Sequence, residues 1–240
     1  MHAITGCVCS ICGERILSPY ALSGIDGEPR CGLCRRIRPP FGRAVAYGSY
    51  EGGLRELIHL LKYGGIQRAA SVLGQMLADA IVDLEGDFPQ GTVAVVAVPL
   101  HCAKRGQRGF NQAELIARAA LKLQPPAGRL RFVEGVLERK RDTRSQTGLT
   151  SHQRRENMRG AFLDGRPEEV KGRPVLVVDD VYTTGSTVSE CARVLRRAGA
   201  SKVWVATVAR TLKTSAREVE IARRDEADEE VVPVAQAATG

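Results

Sequence analysis

Residues 175–187 read VLVVDDVYTTGST, and the reading of the whole chain turns on them. Val175, Leu176, Val177 and Val178 form an apolar run without polar alternation, which suits a strand covered on both faces, as in a parallel sheet flanked by helices. Two adjacent acids, Asp179 and Asp180, stand at the end of the run. A turn of hydroxyls and glycine follows (Thr183, Thr184, Gly185, Ser186, Thr187), and then Val188, Cys191, Leu195 and Ala198 recur at helical spacing up to Gly199. A strand that passes through small polar residues into a helix gathers backbone N–H groups at one point, beside the positive end of the helix dipole. That is a phosphate cradle. Gly185 lets the backbone approach the anion closely. The two carboxylates repel a phosphate, so their natural partners are donors: ribose hydroxyls, met directly or through Mg²⁺ on a pyrophosphate. The pattern is neither a Walker loop, lacking GK[ST], nor the GxGxxG dinucleotide fingerprint. A plainer reading, in which acids and hydroxyls merely cap a helix with Ser186 in that role, is disfavoured because motif and strand-turn-helix context agree.

Outward from this stretch, residues 93–98 (VAVVAV) read as a second buried strand ended by Pro99, and Val203 to Val208 as a third. Amphipathic helices precede and separate these strands. Leu54, Leu57, Ile58 and Leu61 share one face, stopped by Gly64 and Gly65; Val72, Leu73, Met76, Leu77, Ala80, Ile81 and Leu84 share another. A third helix opens at Asn111, with Glu114 completing a capping-box pattern and Ile116, Ala119, Ala120 and Leu123 as its apolar stripe, closed by Pro125 and Pro126. Strand, helix, strand at this pace predicts an α/β fold built on a parallel sheet with right-handed crossovers. At 240 residues and 43% hydrophobic content the chain can bury one large core beside a small module. No apolar run approaches the roughly 20 residues of a membrane helix, and the first eleven residues lack the features of a secretory signal, so a cytoplasmic protein is expected.

The small module is residues 1–40, closed by Pro39 and Pro40 and too short to build a core without a staple. Five of the seven cysteines fall there. Cys9, Cys12, Cys31 and Cys34 form two CxxC pairs eighteen residues apart, the spacing of a structural four-thiolate zinc site that leaves no open position for catalysis. Cys7 is an alternative ligand, and inert or redox-active thiols are the competing reading.

The net charge is +8, which favours an anionic partner without naming it. Residues 139–159 hold seven basic residues against two acids, and the charged stretch 211–240, expected to be disordered, holds four against seven. The 139–159 segment reads as a solvated loop, as a lid over pyrophosphate, or as a track for nucleic-acid phosphates. Aromatic content of 5% offers few platforms for stacked bases. A second basic block, Lys104 followed by RGQRGFNQ (105–112), falls in a loop at the carboxyl edge of a strand, where ligands of open α/β sheets sit. Arginine forks suit pyrophosphate oxygens, although Asn111 alone would serve to cap the helix that follows. Of the four histidines only His101 lies near this region, and no residue stands out as a general base.

The 175–187 stretch resembles the phosphoribosyl pyrophosphate motif of type I phosphoribosyltransferases, and the chain around it resembles the ComF competence-protein family. Four blocks carry the likeness: the paired CxxC module, LIHLLKYGG (57–65), VPLHCAKRGQRGFNQAELIA (98–117), and RKRDTRSQTGLTSHQRRENMRGAF (139–162) running on to the loop. The resemblance implies a type I phosphoribosyltransferase-like parallel sheet with helices on both faces over 41–210, preceded by a zinc-ribbon-like module. It implies ribose recognition by Asp179 and Asp180, and 5-phosphate recognition by Thr183, Thr184, Gly185, Ser186 and Thr187. Tyr182 replaces the aliphatic residue more usual in the motif. Lys104, Arg105 and Arg108 would face the pyrophosphate. Arg139, Arg141, Arg144, Arg154 and Arg155 would sit on a flexible loop that closes over the site. Structural zinc, Mg²⁺ with the pyrophosphate substrate, and phosphoribosyl pyrophosphate or a related sugar phosphate are the expected ligands. Single-stranded DNA and DNA-processing proteins are the expected partners, in DNA uptake or utilisation. An active phosphoribosyltransferase of nucleotide or nucleoside metabolism is the other activity it implies.

Overall fold

The computed structural model describes residues 4, 6–16, 27–123, 128–141 and 150–213, with the backbone alone of residues 151, 152, 154 and 155. In chain order the elements are α1 (Gly32–Arg36), β1 (Ala44–Ser49), α2 (Gly52–Tyr63), α3 (Ala69–Val82), β2 (Val93–Ala97), α4 (Cys102–Arg108), α5 (Gln112–Leu121), β3 (Leu130–Phe132), β4 (Leu137–Arg139), α6 (Ser151–Met158), β5 (Phe162–Asp164), β6 (Pro174–Tyr182), α7 (Ser186–Arg197) and β7 (Lys202–Arg210). Five strands make one sheet in the order β1-β7-β6-β2-β3, every pairing parallel. β4 and β5 make a separate antiparallel ribbon. Among the described residues no helix is long and apolar enough to cross a membrane.

The apolar runs of β2 and β6 are continuous because both faces of the sheet are covered. Val95, Leu176, Val178 and Trp204 pack with Leu54, Ile58, Leu73, Leu77 and Ile116 of α2, α3 and α5. On the other face Val175, Val177, Val203 and Val205 pack with Val188, Cys191 and Leu195 of α7, and Cys9, Ile11, Cys12, Ile16 and Phe41 of the cysteine-bearing segment join the same cluster. Each of these side chains contributes about 1.5–3 kcal/mol by leaving water, which is why the sheet's centre holds no polar alternation. Period-two alternation then slips by one residue at the carboxyl end of β6. Val181 packs on the same side as Leu176 and Val178, and Tyr182 turns to the α7 side. β7 slips with it, since Val208 and Ala209 both face the α3 layer while Arg210 reaches Cys12, and the two strands stay in register at Tyr182↔Arg210.

Several local expectations need correction. The sheet has five strands rather than three, and β6 runs through the acid pair to Tyr182 instead of ending at Val178. α5 stops at Leu121, leaving Leu123 exposed, and Val72 of α3 is exposed as well. The capping box at Asn111 is half-formed. Asn111 Oδ1 accepts from Ala113 N at 3.1 Å and its amide donates to Val98 O at 3.0 Å, tying α5 to the end of β2. Glu114 instead accepts from Arg118 at 3.2 Å, because a helix neighbour four residues on is a stronger partner than the cap amide. The basic block at 104–108 is helical, as α4.

α3 and α5 cross closely at Gly74, where an added Cβ would meet Ala119 Cβ at 2.5 Å and Ala120 N at 2.9 Å. Backbone there cannot yield like a flexible side chain. Gly74→Ala is therefore expected to destabilise the fold by about 1–3 kcal/mol despite alanine's better helix propensity. Urea denaturation checks this, and an unchanged or raised midpoint would contradict the close crossing.

Candidate functional site

At the carboxyl edge of the sheet the end of β6 turns through residues 183–185 into α7. Gly185 is the residue before the first helical turn and has φ +75°, a left-handed conformation that favours glycine, and a Cβ there would overlap the Tyr182 phenol oxygen. Ser189 N donates to Gly185 O at 2.9 Å, and helix geometry leaves the amides of the first turn without an intrahelical acceptor. Ser186 does not cap the helix as expected. It is the first helical residue, and its hydroxyl pairs with Thr184 Oγ1 at 2.8 Å, so the two hydroxyls sit together on the loop. Asp179, Thr183, Gly185, Ser186 and Thr187 line an open cleft of about 180 Å³, with Tyr182 and Val188 on its walls.

The structure separates the two acids. Asp180 is 4% exposed and faces α2, where Lys62 Nζ lies 2.6 Å from its Oδ2. Burial, the largest single influence, would pull Lys62 down, but the charge and hydrogen bond of Asp180, with smaller contributions from Asp179 and Tyr50, together outweigh it and leave the ammonium above its ordinary value. Asp179 keeps part of its surface on the cleft, and its Oδ1 accepts from Asp180 N at 2.9 Å. Burial, and then the neighbouring charge of Asp180, push its carboxyl up to about 8. Lys62 was missed in the sequence. The only available signal was an amphipathic helix whose lysine falls next to the buried stripe.

The basic residues are held by local partners. Arg108 donates to Gln112 Oε1 at 2.9 Å and lies 5.2 Å over the ring of Tyr63, which is 72% exposed. Arg105 is 3.8 Å from Glu114, and Lys104 shares the same short helix. The 139–159 segment is not one loop. It leaves the ribbon at Arg139, whose guanidinium lies 5.6 Å over Phe162, and returns as α6. Arg141 donates to Arg159 O at 2.6 Å, and Gly160 N donates to the buried Glu190 of α7 at 2.9 Å, which fastens the end of the segment to that helix. Arg144 lies outside the described residues, and Arg154 and Arg155 are placed on α6 by their backbone alone. His59 is hydrogen-bonded to Tyr50 at 3.0 Å, and His101 stands beside Cys102.

On the α7 side of the sheet, the sulfurs of Cys9, Cys12, Cys31 and Cys34 all lie within 4.8 Å of one another. Cys12 and Cys31 are 3.7 Å apart, against about 3.8 Å for the edge of a sulfur tetrahedron with bonds of about 2.3 Å. The donor set therefore fits a thiophilic metal ion in a closed site, and Cys7 stands outside it. Contact with Cys12 pulls Cys9 down and Cys31 down to about 6, while contact with Cys31 and with Cys12 pushes Cys12 and Cys34 up, respectively. Four such thiols do not ionise together without a cation between them.

Residues 65–235 match the phosphoribosyl transferase domain family. The chain is 34% identical over 214 residues to the DNA utilization protein YhgH of Escherichia coli K12, covering 85% of this chain and 91% of that protein. It is 30% identical over 223 residues to competence protein F of Haemophilus influenzae, covering 88% and 93%. This chain belongs to the ComF-type branch of the phosphoribosyl transferase domain family. Competence protein ComFC of Bacillus subtilis is a more distant relative, 25% identical over 83% of this chain and 75% of that one. A solved structure from an analysis of an invariant aspartic acid in HPRTs, the alanine mutant, is similar at 14% identity and a TM-score of 0.38 over 62% of this chain and 80% of that one.

Within this ComF-type domain the raised carboxyl of Asp179 has a definite sign. Protonated in the folded chain at neutral pH, it contributes stability fully present below its unfolded value of about 4 and lost as the pH rises toward about 8. Asp179→Asn is expected to raise the ligand-free melting temperature by roughly 2–6 °C near pH 8 and by little near pH 4. Thermal denaturation at the two pH values checks it; a shift equal at both would show that the carboxyl is not held protonated. The cysteine cluster predicts the opposite trend for metal. Thiolates must form to bind it, so affinity should fall as the pH falls, and Cys12→Ser should lose most of the metal found by elemental analysis of the purified chain. Full retention in Cys12→Ser would exclude Cys12 as a ligand.

Proposed function

We propose that this protein binds phosphoribosyl pyrophosphate, or a related ribose 5-phosphate, at the carboxyl edge of its sheet and serves in the uptake or utilisation of DNA. The observation that carries the first half is the open cleft at the β6–α7 turn, with amides, hydroxyls and a helix N-terminus along one wall and Asp179 along the other. The 5-phosphate takes residues 183–187. Asp179 accepts from a ribose hydroxyl once it is ionised, and Asp180 does so by sharing or releasing Lys62. Mg²⁺, when bound to the pyrophosphate, supplies neutralisation of its charge, and Asp179 is the carboxylate on the cleft that suits it. Arg105, 63% exposed at its side chain, is the cation of α4 most readily turned to the pyrophosphate, with Lys104 and Arg108 beside it. Zinc is the metal that four thiolates at this spacing favour, in a structural role.

The second half rests on the relatives, named for DNA utilization and competence, and on the excess of basic residues over 139–159, which suits the phosphates of single-stranded DNA. Phosphoribosyl transfer is the second reading. The hydrogen bond from Gly160 N to Glu190 supports it, because it ties the C-terminal end of the basic segment to the helix that carries the cradle. Asp179 and the cradle would then orient the sugar while the basic segment excludes water.

Calorimetric titration with phosphoribosyl pyrophosphate and Mg²⁺ tests the assignment. Wild type should bind, Gly185→Ala should lose at least about tenfold in affinity because its Cβ displaces Tyr182, and single-stranded DNA binding should persist in Gly185→Ala while weakening with salt. Equal sugar-phosphate affinity in wild type and Gly185→Ala would place that ligand elsewhere. Pyrophosphate release in the presence of a base would establish transfer.

A further inference from the structure

One buried connection runs from the cysteine cluster along the α7 side of the sheet to the phosphate loop. Arg210, the last residue of β7, is 3% exposed. Its guanidinium donates to Cys12 O, lies 3.6 Å from Cys12 Sγ and pairs with Glu14 Oε2 at 2.9 Å. It also stacks 4.3 Å over the ring of Tyr182. Tyr182 is 7% exposed and forms the floor beneath Gly185, leaving no room for a Cβ there. The backbone repeats the link, since Thr211 N donates to Tyr182 O at 2.9 Å and Lys213 N to Glu14 Oε1 at 3.0 Å. The joint slip of β6 and β7 is what brings Tyr182 and Arg210 to this side of the sheet.

We propose that Arg210 and Tyr182 are positioning residues of the phosphate loop, and that through them metal in the cysteine cluster and sugar phosphate on the loop each strengthen the other's binding. The proposal rests on the phosphate reading of residues 183–187. A dipositive ion held by four thiolates leaves the cage dianionic, so Cys12 Sγ becomes a full acceptor for the guanidinium beside it. Without metal no bond ties Cys12 Sγ to the other three sulfurs, so its contact with the guanidinium is no longer held in place, leaving Arg210 to Cys12 O and Glu14. A buried guanidinium that loses an acceptor relaxes toward its remaining ones, and the aromatic ring stacked on it follows. Gly185 then loses the floor that keeps its loop in the conformation an anion needs. Coupling between two binding events is reciprocal, so a ligand that fixes the loop also fixes the acceptor side of the cage.

The test uses the full chain in two forms. Zinc affinity is measured by competition with a chromophoric chelator, with and without saturating ribose 5-phosphate, and ribose 5-phosphate affinity is measured by calorimetry on zinc-loaded and zinc-depleted protein. Each ligand is expected to tighten the other about tenfold. Tyr182→Val, with circular dichroism confirming an intact fold, should keep zinc and reduce the coupling below about twofold, while Tyr182→Phe, which keeps the ring, should retain it. Ribose 5-phosphate affinity that is the same with and without zinc overturns the coupling and leaves the phosphate site standing. Coupling undiminished in Tyr182→Val overturns the route through the ring. Failure of wild type to bind ribose 5-phosphate in either form overturns the phosphate reading and this proposal with it.

Discussion

The buried pair of Lys62 and Asp180 is the constraint around which the candidate site is arranged. A carboxylate 4% exposed beneath α2 cannot stay charged without a partner, and Lys62 supplies one 2.6 Å away on that helix. Removing Lys62 alone would leave an uncompensated charge at a cost of about 3–5 kcal/mol, whereas an apolar pair of similar volume would be near neutral. Stability therefore does not call for this pair, and its presence at the carboxyl edge of a parallel sheet points to binding. Once Asp180 is fixed as an anion, its charge adds to burial in holding the Asp179 carboxyl up near 8. The two acids that read identically in the sequence thus stand in different states, one paired with Lys62 and one held with a raised carboxyl on the cleft.

What was legible in the sequence follows from how many neighbours each signal needed. The central strands showed as unbroken apolar runs because covering both faces removes every polar position, and the loop at 183–187 showed because hydroxyls, glycine and helix onset are contiguous in the chain. The cysteine cluster was legible from spacing alone. β1 was not, since AVAYGS mixes small and aromatic residues at a sheet edge, and β3, three residues long, offers no period to detect. α6 carries a sequence with almost no apolar stripe, and only Met158 among its described side chains is buried, so nothing distinguishes it from a solvated loop. Lys62 and Arg210 were invisible for a further reason. Their roles depend on residues 118 and 198 positions away, and a single sequence does not pair such positions.

The same distances explain why the cysteine-bearing segment belongs to the architecture of the site. Cys9, Ile11, Cys12 and Phe41 share a core with α7, the helix whose N-terminus shapes the cradle. Ala44 N donates to Ile11 O at 2.7 Å, which seats the first knuckle on β1, and Glu14 and Arg210 form a buried pair at the far end of β7. The four-cysteine segment thus packs as one wall against the sheet on the α7 side.

The cations around the cleft differ in how readily an anion could recruit them. Arg105 sits 3.8 Å from Glu114 with most of its side chain in water, a pairing of about 0–1 kcal/mol that a pyrophosphate oxygen would outcompete. Arg108 is held more firmly, by a hydrogen bond to Gln112 and a ring contact with Tyr63, so its release costs the sum of two weak interactions. Lys62 stands at the other limit. It can leave Asp180 only if something donates to that carboxylate in its place, and a ribose hydroxyl is a neutral donor that does this only in part. Of the three cations, Arg105 is therefore the one released at least cost and Lys62 the one released at most.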